Sequence, residues 1–137
     1  IPIVIPIHPR TAKMMDKLLH VNTKKQIKES DLLKIIPPAG FLDMIALEKN
    51  AELIITDSGG VQKEAYFFEK PCIILRPQTE WLEIVETKSA IITDTNSEKI
   101  LKATEYFLNN KDLNFPQVFG DGNAALFIAQ EILSQLS

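Results

Sequence analysis

The sequence predicts an α/β fold in which a parallel sheet is covered by helices on both faces. Three observations predict it. Five short apolar runs of strand length recur along the chain. Runs with apolar residues at helical spacing lie between them. The strand-like runs are continuously apolar rather than alternating, as strands buried on both faces are.

Taken in order, Ile3-Val4-Ile5-Pro6-Ile7 reads as a strand, its prolines tolerable near an end or an edge. Met14, Met15, Leu18 and Leu19 give residues 11 to 19 a helical pattern. Ile35-Ile36 is a short strand closed by Pro37-Pro38, and Phe41, Leu42, Ile45 and Ala46 mark a helix to about Lys49. Leu53 to Thr56 is a strand that runs into Asp57-Ser58-Gly59-Gly60, after which Val61, Ala65 and Phe68 continue as a helix. Cys72 to Leu75 and Ala90 to Thr93 are the last two strands. Either Asn96 or Ser97 caps a helix carrying Ile100, Thr104, Phe107 and Leu108. Asp121-Gly122-Asn123 opens a final helix striped by Ala125, Ile128, Ala129, Ile132, Leu133 and Leu136.

The 137 residues have the size of one domain, with 45% hydrophobic and 24% charged residues, as in a globular protein with a core. A net charge of −3 with no basic cluster argues against a nucleic-acid surface. No apolar stretch reaches the length of a membrane span, and the first residues lack a basic signal-peptide region. The cytoplasm is the expected compartment. The single cysteine, Cys72, lies in an apolar run and reads as a core residue. The chain opens at Ile1 inside a strand-like run, which points to a fragment with further sequence upstream.

In an open α/β sheet, ligands bind beyond the carboxyl ends of the strands. The unusual residues fall there, in the loops at His8 to Thr11, Pro37 to Phe41, Asp57 to Gly60 and Arg76 to Glu83, and are expected to converge on one rim. Ser58, Gly59 and Gly60 stand where a strand turns into a helix. Such a turn offers unpaired backbone N–H groups at the positive end of a helix dipole, and glycine lets an anion approach the backbone. Glu64 lies one turn further along nearly the same face, where a carboxylate repels phosphate but accepts hydrogen bonds from ribose hydroxyls. The pair suits a nucleoside diphosphate. Each feature also has a plainer role: a tight turn capped by Asp57 or Ser58, a locally satisfied His8, a surface ion pair at Arg76, core packing for Phe41 and Met44. A phospho-acceptor at Asp57 would need carboxylates after the first strand to hold Mg²⁺, and His8-Pro9-Arg10 stands there instead.

Four motifs occur in order: His8-Pro9-Arg10-Thr11, Thr56 to Ala65, Arg76-Pro77-Gln78-Thr79-Glu80-Trp81-Leu82-Glu83, and Phe119-Gly120-Asp121-Gly122-Asn123-Ala124-Ala125. Together they resemble the C-terminal domain of the non-hydrolysing UDP-N-acetylglucosamine 2-epimerases, over almost the whole chain. The resemblance implies a Rossmann-like domain over residues 1 to 137, the C-terminal half of a GT-B architecture, lacking the N-terminal catalytic domain and the first strand of its own sheet. It implies elimination and re-addition of UDP without a redox cofactor or metal, and a cytoplasmic homodimer acting on UDP-GlcNAc or a related UDP-sugar. By matching position, Ser58, Gly59 and Gly60 would hold the diphosphate, Glu64 the ribose, and the loop Pro38 to Phe41 the uracil through backbone groups, with Met44 near the ring. His8, Arg10 and Arg76 would face the cleft. Catalytic carboxylates are expected upstream, none in this chain. Lys63 and Trp81 replace the Glu and Arg of many members, which resembles the branch that includes UDP-2,3-diacetamido-glucuronate epimerases. The other readings are the donor domain of a GT-B glycosyltransferase and a non-catalytic nucleotide-sugar-binding module.

Overall fold

The computed structural model describes residues 1–136. The chain forms two compact units, Ile1–Leu47 and Glu48–Ser137.

In the first unit, β1 (Ile3–Pro6) and β2 (Leu33–Ile36) pair in parallel, Ile3 opposite Leu33 and Pro6 opposite Ile36. Parallel neighbours need a crossover, supplied here by α1 (Pro9–Leu18) and α2 (Val21–Glu29). Pro6 closes β1, the position where a missing N–H costs the ladder least. Pro9 opens α1 at its first turn, where the N–H has no helical partner anyway. His8 and His20 cap the two helices in the same way: each Nδ1 accepts a backbone N–H, from Arg10 at 3.2 Å and from Asn22 at 3.4 Å. α2 has no counterpart in the sequence reading, because Val21 and Ile27 alone make no apolar stripe. α3 (Phe41–Asn50) follows β2 and carries the chain into the second unit.

In the second unit, β3 (Ile54–Thr56), β4 (Cys72–Ile74) and β5 (Ala90–Ile92) form a parallel sheet in the order β3-β4-β5. Five strands were expected and five form among the described residues, in two separately registered sheets. The helices of this unit are α4 (Gly59–Phe67), α5 (Leu82–Glu86), α6 (Ser97–Asn109) and α7 (Ala124–Gln135). Side chains alternate across β4. Cys72 and Ile74 join Ala65 and Tyr66 of α4 and Ile84 of α5 in one apolar cluster; Ile73 joins Ala103 and Phe107 of α6 in another. The central strand is thus buried on both sides, as its continuous apolar sequence required. Asn96, not Ser97, caps α6, its Oδ1 accepting the Lys99 N–H at 2.9 Å.

The final helix forms where expected, with its apolar stripe uncovered among the described residues. No residue of α7 is buried, and Phe127, Ile132 and Leu133 of its apolar face stay exposed. Its N-terminal Asn123 makes no side-chain cap, because Asn123 instead donates from its backbone and its amide to Asp121. Gly120 and Gly122 on either side of Asp121 both have φ above +80°, a conformation that costs any other residue strain.

Cys72 is fully buried, and burial pushes its thiol up to about 12, where it stays protonated and inert. We expect iodoacetamide to leave the folded chain unmodified near neutral pH and to alkylate Cys72 once denaturant unfolds it; rapid labelling of the native chain, read by mass spectrometry, would contradict this packing.

Candidate functional site in the turn between β3 and α4

The turn from β3 into α4 is built by short-range hydrogen bonds. Thr56 Oγ1 accepts the Ser58 N–H at 3.0 Å, and Ser58 is the residue that caps α4, its Oγ accepting from Val61 N at 3.5 Å. The question of Asp57 or Ser58 is settled by backbone shape: Ser58 has extended φ and ψ of −85° and 124°, the conformation of a cap. The N–H groups of Gly59 and Gly60 lie in the first turn, where an α-helix has no acceptor for them. They point along the positive end of the α4 dipole.

A second loop, after β4, locks this turn from above. The Trp81 indole Nε1 donates to the Gly59 carbonyl at 2.8 Å, and the Thr79 hydroxyl donates to Gln62 Oε1 at 2.6 Å. Trp81 N in turn donates to Thr79 Oγ1 at 3.1 Å, so the loop is braced from within. Arg76 and Glu80 make a two-pronged ion pair with separations of 3.0 Å and 2.9 Å. The backbone amide of Glu80 itself, then the Arg76 side chain, hold the Glu80 carboxyl below its ordinary range. A side chain at Gly59 would put its Cβ 3.3 Å from Glu80 Oε2 and 3.9 Å from Arg76 Nη1. A Cβ there would make the exposed Glu80 carboxylate give by a few tenths of an ångström, whereas the Arg76 distance is ordinary contact.

Lys63 extends the lock. Its ammonium lies 4.4 Å from the Trp81 ring centre and 4.5 Å from that of Phe119. Phe119 packs edge-to-face against Trp81, Tyr66 and Phe67, so the fourth sequence motif joins the second and third through one ring. A groove of about 440 Å³ runs from Phe119 to Gln130, and Phe119 is the ring it has in common with the packing around Lys63 and Trp81.

Of the residues singled out in the sequence, Ser58, Gly59, Gly60, Glu64 and Arg76 come together in the second unit. Arg76 is committed to Glu80, the surface ion pair that was its plainer role. His8, Arg10, Phe41 and Met44 belong to the first unit. There His8 is the α1 cap described above, and Phe41, 73% exposed, opens α3 on the carboxyl side of β2.

The sequence reading passed over Glu48. It lies near the end of α3, is 4% exposed, and neither carboxyl oxygen has a hydrogen-bond partner of ordinary geometry. Burial first, and the neighbouring Glu64 carboxylate second, push it up to about 7. The available signal was positional: Glu48 stands three residues after Ile45, where the helix pattern calls for an apolar residue. An unfolded glutamate loses its proton near 4.5, whereas folded Glu48 keeps it to about 7. Between those values the folded state holds the extra proton, so stability is full below the window and falls as pH rises through it. We expect a loss of at most about 3 kcal/mol across the window, read from urea unfolding, and a flattened profile in Glu48→Gln. An identical slope in the variant would contradict the assignment.

Among the described residues no group of three or more His, Cys, Asp or Glu is placed to hold a metal ion, and no helix is long and apolar enough to cross a membrane.

Comparison with known proteins identifies the family. The family model described as UDP-N-acetylglucosamine 2-epimerase matches residues 1–133. The chain is 47% identical over 122 residues to the UDP-N-acetylglucosamine 2-epimerase of Methanocaldococcus jannaschii, covering 89% of this chain and 32% of that protein. It is 36% identical over 129 residues to the UDP-2,3-diacetamido-2,3-dideoxy-D-glucuronate 2-epimerase of Pseudomonas aeruginosa, covering 94% of this chain and 34% of that one. Its structure superposes with a TM-score of 0.81, at 43% identity, on the M. jannaschii UDP-GlcNAc 2-epimerase crystallised in complex with UDP-GlcNAc and UDP, covering 97% of this chain and 36% of that one. The chain thus spans about a third of the length of these relatives. With the parallel α/β fold, the ordered motifs and the match across nearly all its residues, this chain belongs to the UDP-N-acetylglucosamine 2-epimerase family.

Proposed function

We propose that this chain is the UDP-binding part of a UDP-N-acetylglucosamine 2-epimerase that interconverts UDP-GlcNAc and UDP-ManNAc. The observation that carries the proposal is the Ser58-Gly59-Gly60 turn. Two N–H groups stand free at the positive end of α4, in a turn held rigid by Trp81 and roofed by Arg76 and Glu80. The likeness to an enzyme crystallised with UDP-GlcNAc and UDP supports the choice of ligand.

In this reading Ser58, Gly59 and Gly60 take the diphosphate, Glu64 takes the ribose hydroxyls, and Phe41 and Met44 flank the uracil. His8, Arg10 and Arg76 serve the cleft side. The reaction removes the C2 proton to a base while the C1–O electron pair leaves with UDP, giving a C1=C2 alkene. UDP oxygen then re-adds at C1 and a proton is delivered to the opposite face of C2. Negative charge grows on the diphosphate as the C1–O bond breaks, and donors fixed beforehand at the α4 terminus stabilise it without reorganising. The same donors keep UDP in place for re-addition. The proton-moving carboxylates lie outside this chain, and the whole enzyme works as a cytoplasmic homodimer.

Incubating the chain with UDP-GlcNAc and following the anomeric protons by NMR tests this division of labour. Saturable shifts without UDP-ManNAc are expected. Formation of UDP-ManNAc by the chain alone would overturn the placement of the proton-moving groups. Absence of any saturable shift would overturn the UDP-sugar site.

A further inference from the structure

Glu48 is a buried charge that the roles above leave unused. Its two carboxyl oxygens, in a side chain 4% exposed, have no partner that would satisfy an anion there. Among the described residues Glu64 on α4 is the charged group acting on it. The other titratable groups on α3, on α4 and on β4 are engaged elsewhere, exposed or neutral. Lys63 of α4 sits over Trp81 and Phe119; Lys49 of α3 and Glu52 beyond it are exposed; Cys72 of β4 is a neutral thiol. With no cation to balance two adjacent carboxylates, one proton shared between them is the stable arrangement. Desolvation decides its owner. Glu48 is buried and Glu64 half-exposed, so burial favours the proton on Glu48.

A neutral acid beside a carboxylate is a donor beside an acceptor. In this structure the two groups are neighbours without closing a bond of ordinary geometry. We propose that Glu48 is a positioning residue for Glu64: its O–H donates to one Glu64 oxygen and so aims the remaining acceptor lone pairs at a vicinal diol, the ribose of a nucleotide. The proposal rests on the reading of Glu64 as the ribose contact. Loss of the Glu48 proton replaces that bond by repulsion between two anions, and Glu64 turns away from the diol. Affinity for a ribonucleotide therefore falls as pH rises through about 7.

Calorimetric titration of the chain with UDP-GlcNAc tests it, because that diphosphate diester does not itself titrate near neutrality. Wild type is expected to bind roughly tenfold more weakly at about pH 8.5 than at about pH 6. Glu48→Gln, a permanent neutral donor of nearly the same shape, keeps the low-pH affinity at both values. Glu48→Ala binds roughly tenfold more weakly at about pH 6 and loses the dependence on pH. The 2′-deoxyribose analogue binds the wild type weakly and without a pH step. A pH step that persists in Glu48→Gln, or full low-pH affinity in Glu48→Ala, overturns the positioning role while leaving the UDP site intact. A wild-type chain that gives no heat with UDP-GlcNAc at either pH overturns the UDP site itself, and the positioning role with it.

Discussion

Replacing Gly60 by aspartate is expected to weaken UDP binding by about a hundredfold or more, about 3 kcal/mol, while leaving the thermal stability of the chain unchanged or slightly raised. The position isolates ligand chemistry from folding. A Cβ at Gly60 would meet nothing closer than Ser58 Oγ at 3.8 Å, and its backbone lies outside the left-handed region, so the substitution introduces no strain. An acidic residue in the first turn of a helix complements the dipole. That same carboxylate would occupy the proposed anion seat and repel the diphosphate. Isothermal titration and a melting curve on one sample check both halves. Unchanged UDP affinity in a folded Gly60→Asp chain would place the diphosphate elsewhere.

Glu64→Ala carries the second large effect. In the proposed site the half-exposed Glu64 carboxylate would accept from two ribose hydroxyls through charge-assisted hydrogen bonds, so its removal should cost about 1.5–3 kcal/mol of UDP affinity, roughly tenfold to a hundredfold. The loss should be confined to ribonucleotides. A 2′,3′-dideoxy analogue, with no hydroxyls to offer, should bind wild type and variant alike. Equal losses for both ligands would mean that Glu64 supports the turn rather than the sugar. Glu64 also raises Glu48, so the variant should bring Glu48 back toward an ordinary carboxylate, though burial alone keeps it elevated.

The parts legible in the sequence were those fixed by local rules. The continuously apolar Cys72-Ile73-Ile74 announced a strand buried on both faces, and β4 is that strand, between α4 and α5 on one side and α6 on the other. The glycine turn was legible because a strand, a cap residue and a helix pattern met within five residues. The parts that escaped depend on distant packing. α2 carries too few apolar residues to show a stripe and starts from a histidine cap. The apolar pattern of α7 was readable, but not that every residue of it would stay exposed. At the site, Trp81 was visible as an unusual residue, yet its bond to the Gly59 carbonyl spans 22 positions that no periodicity links. The raised Glu48 on α3 owes its shift first to burial and then to Glu64 on α4, sixteen positions away, which no local pattern links.

The central claim is that the N-terminus of α4 is a diphosphate seat with a ribose contact one turn along. The most direct measurement is a calorimetric series with UDP, UMP and uridine on the wild-type chain and on Glu64→Ala. Affinity should fall stepwise from UDP to UMP to uridine, each lost phosphate removing charge-assisted contacts with Gly59 and Gly60, and Glu64→Ala should weaken all three ligands by a similar factor. Equal affinity for UDP and uridine, or a series that Glu64→Ala leaves untouched, would contradict the account.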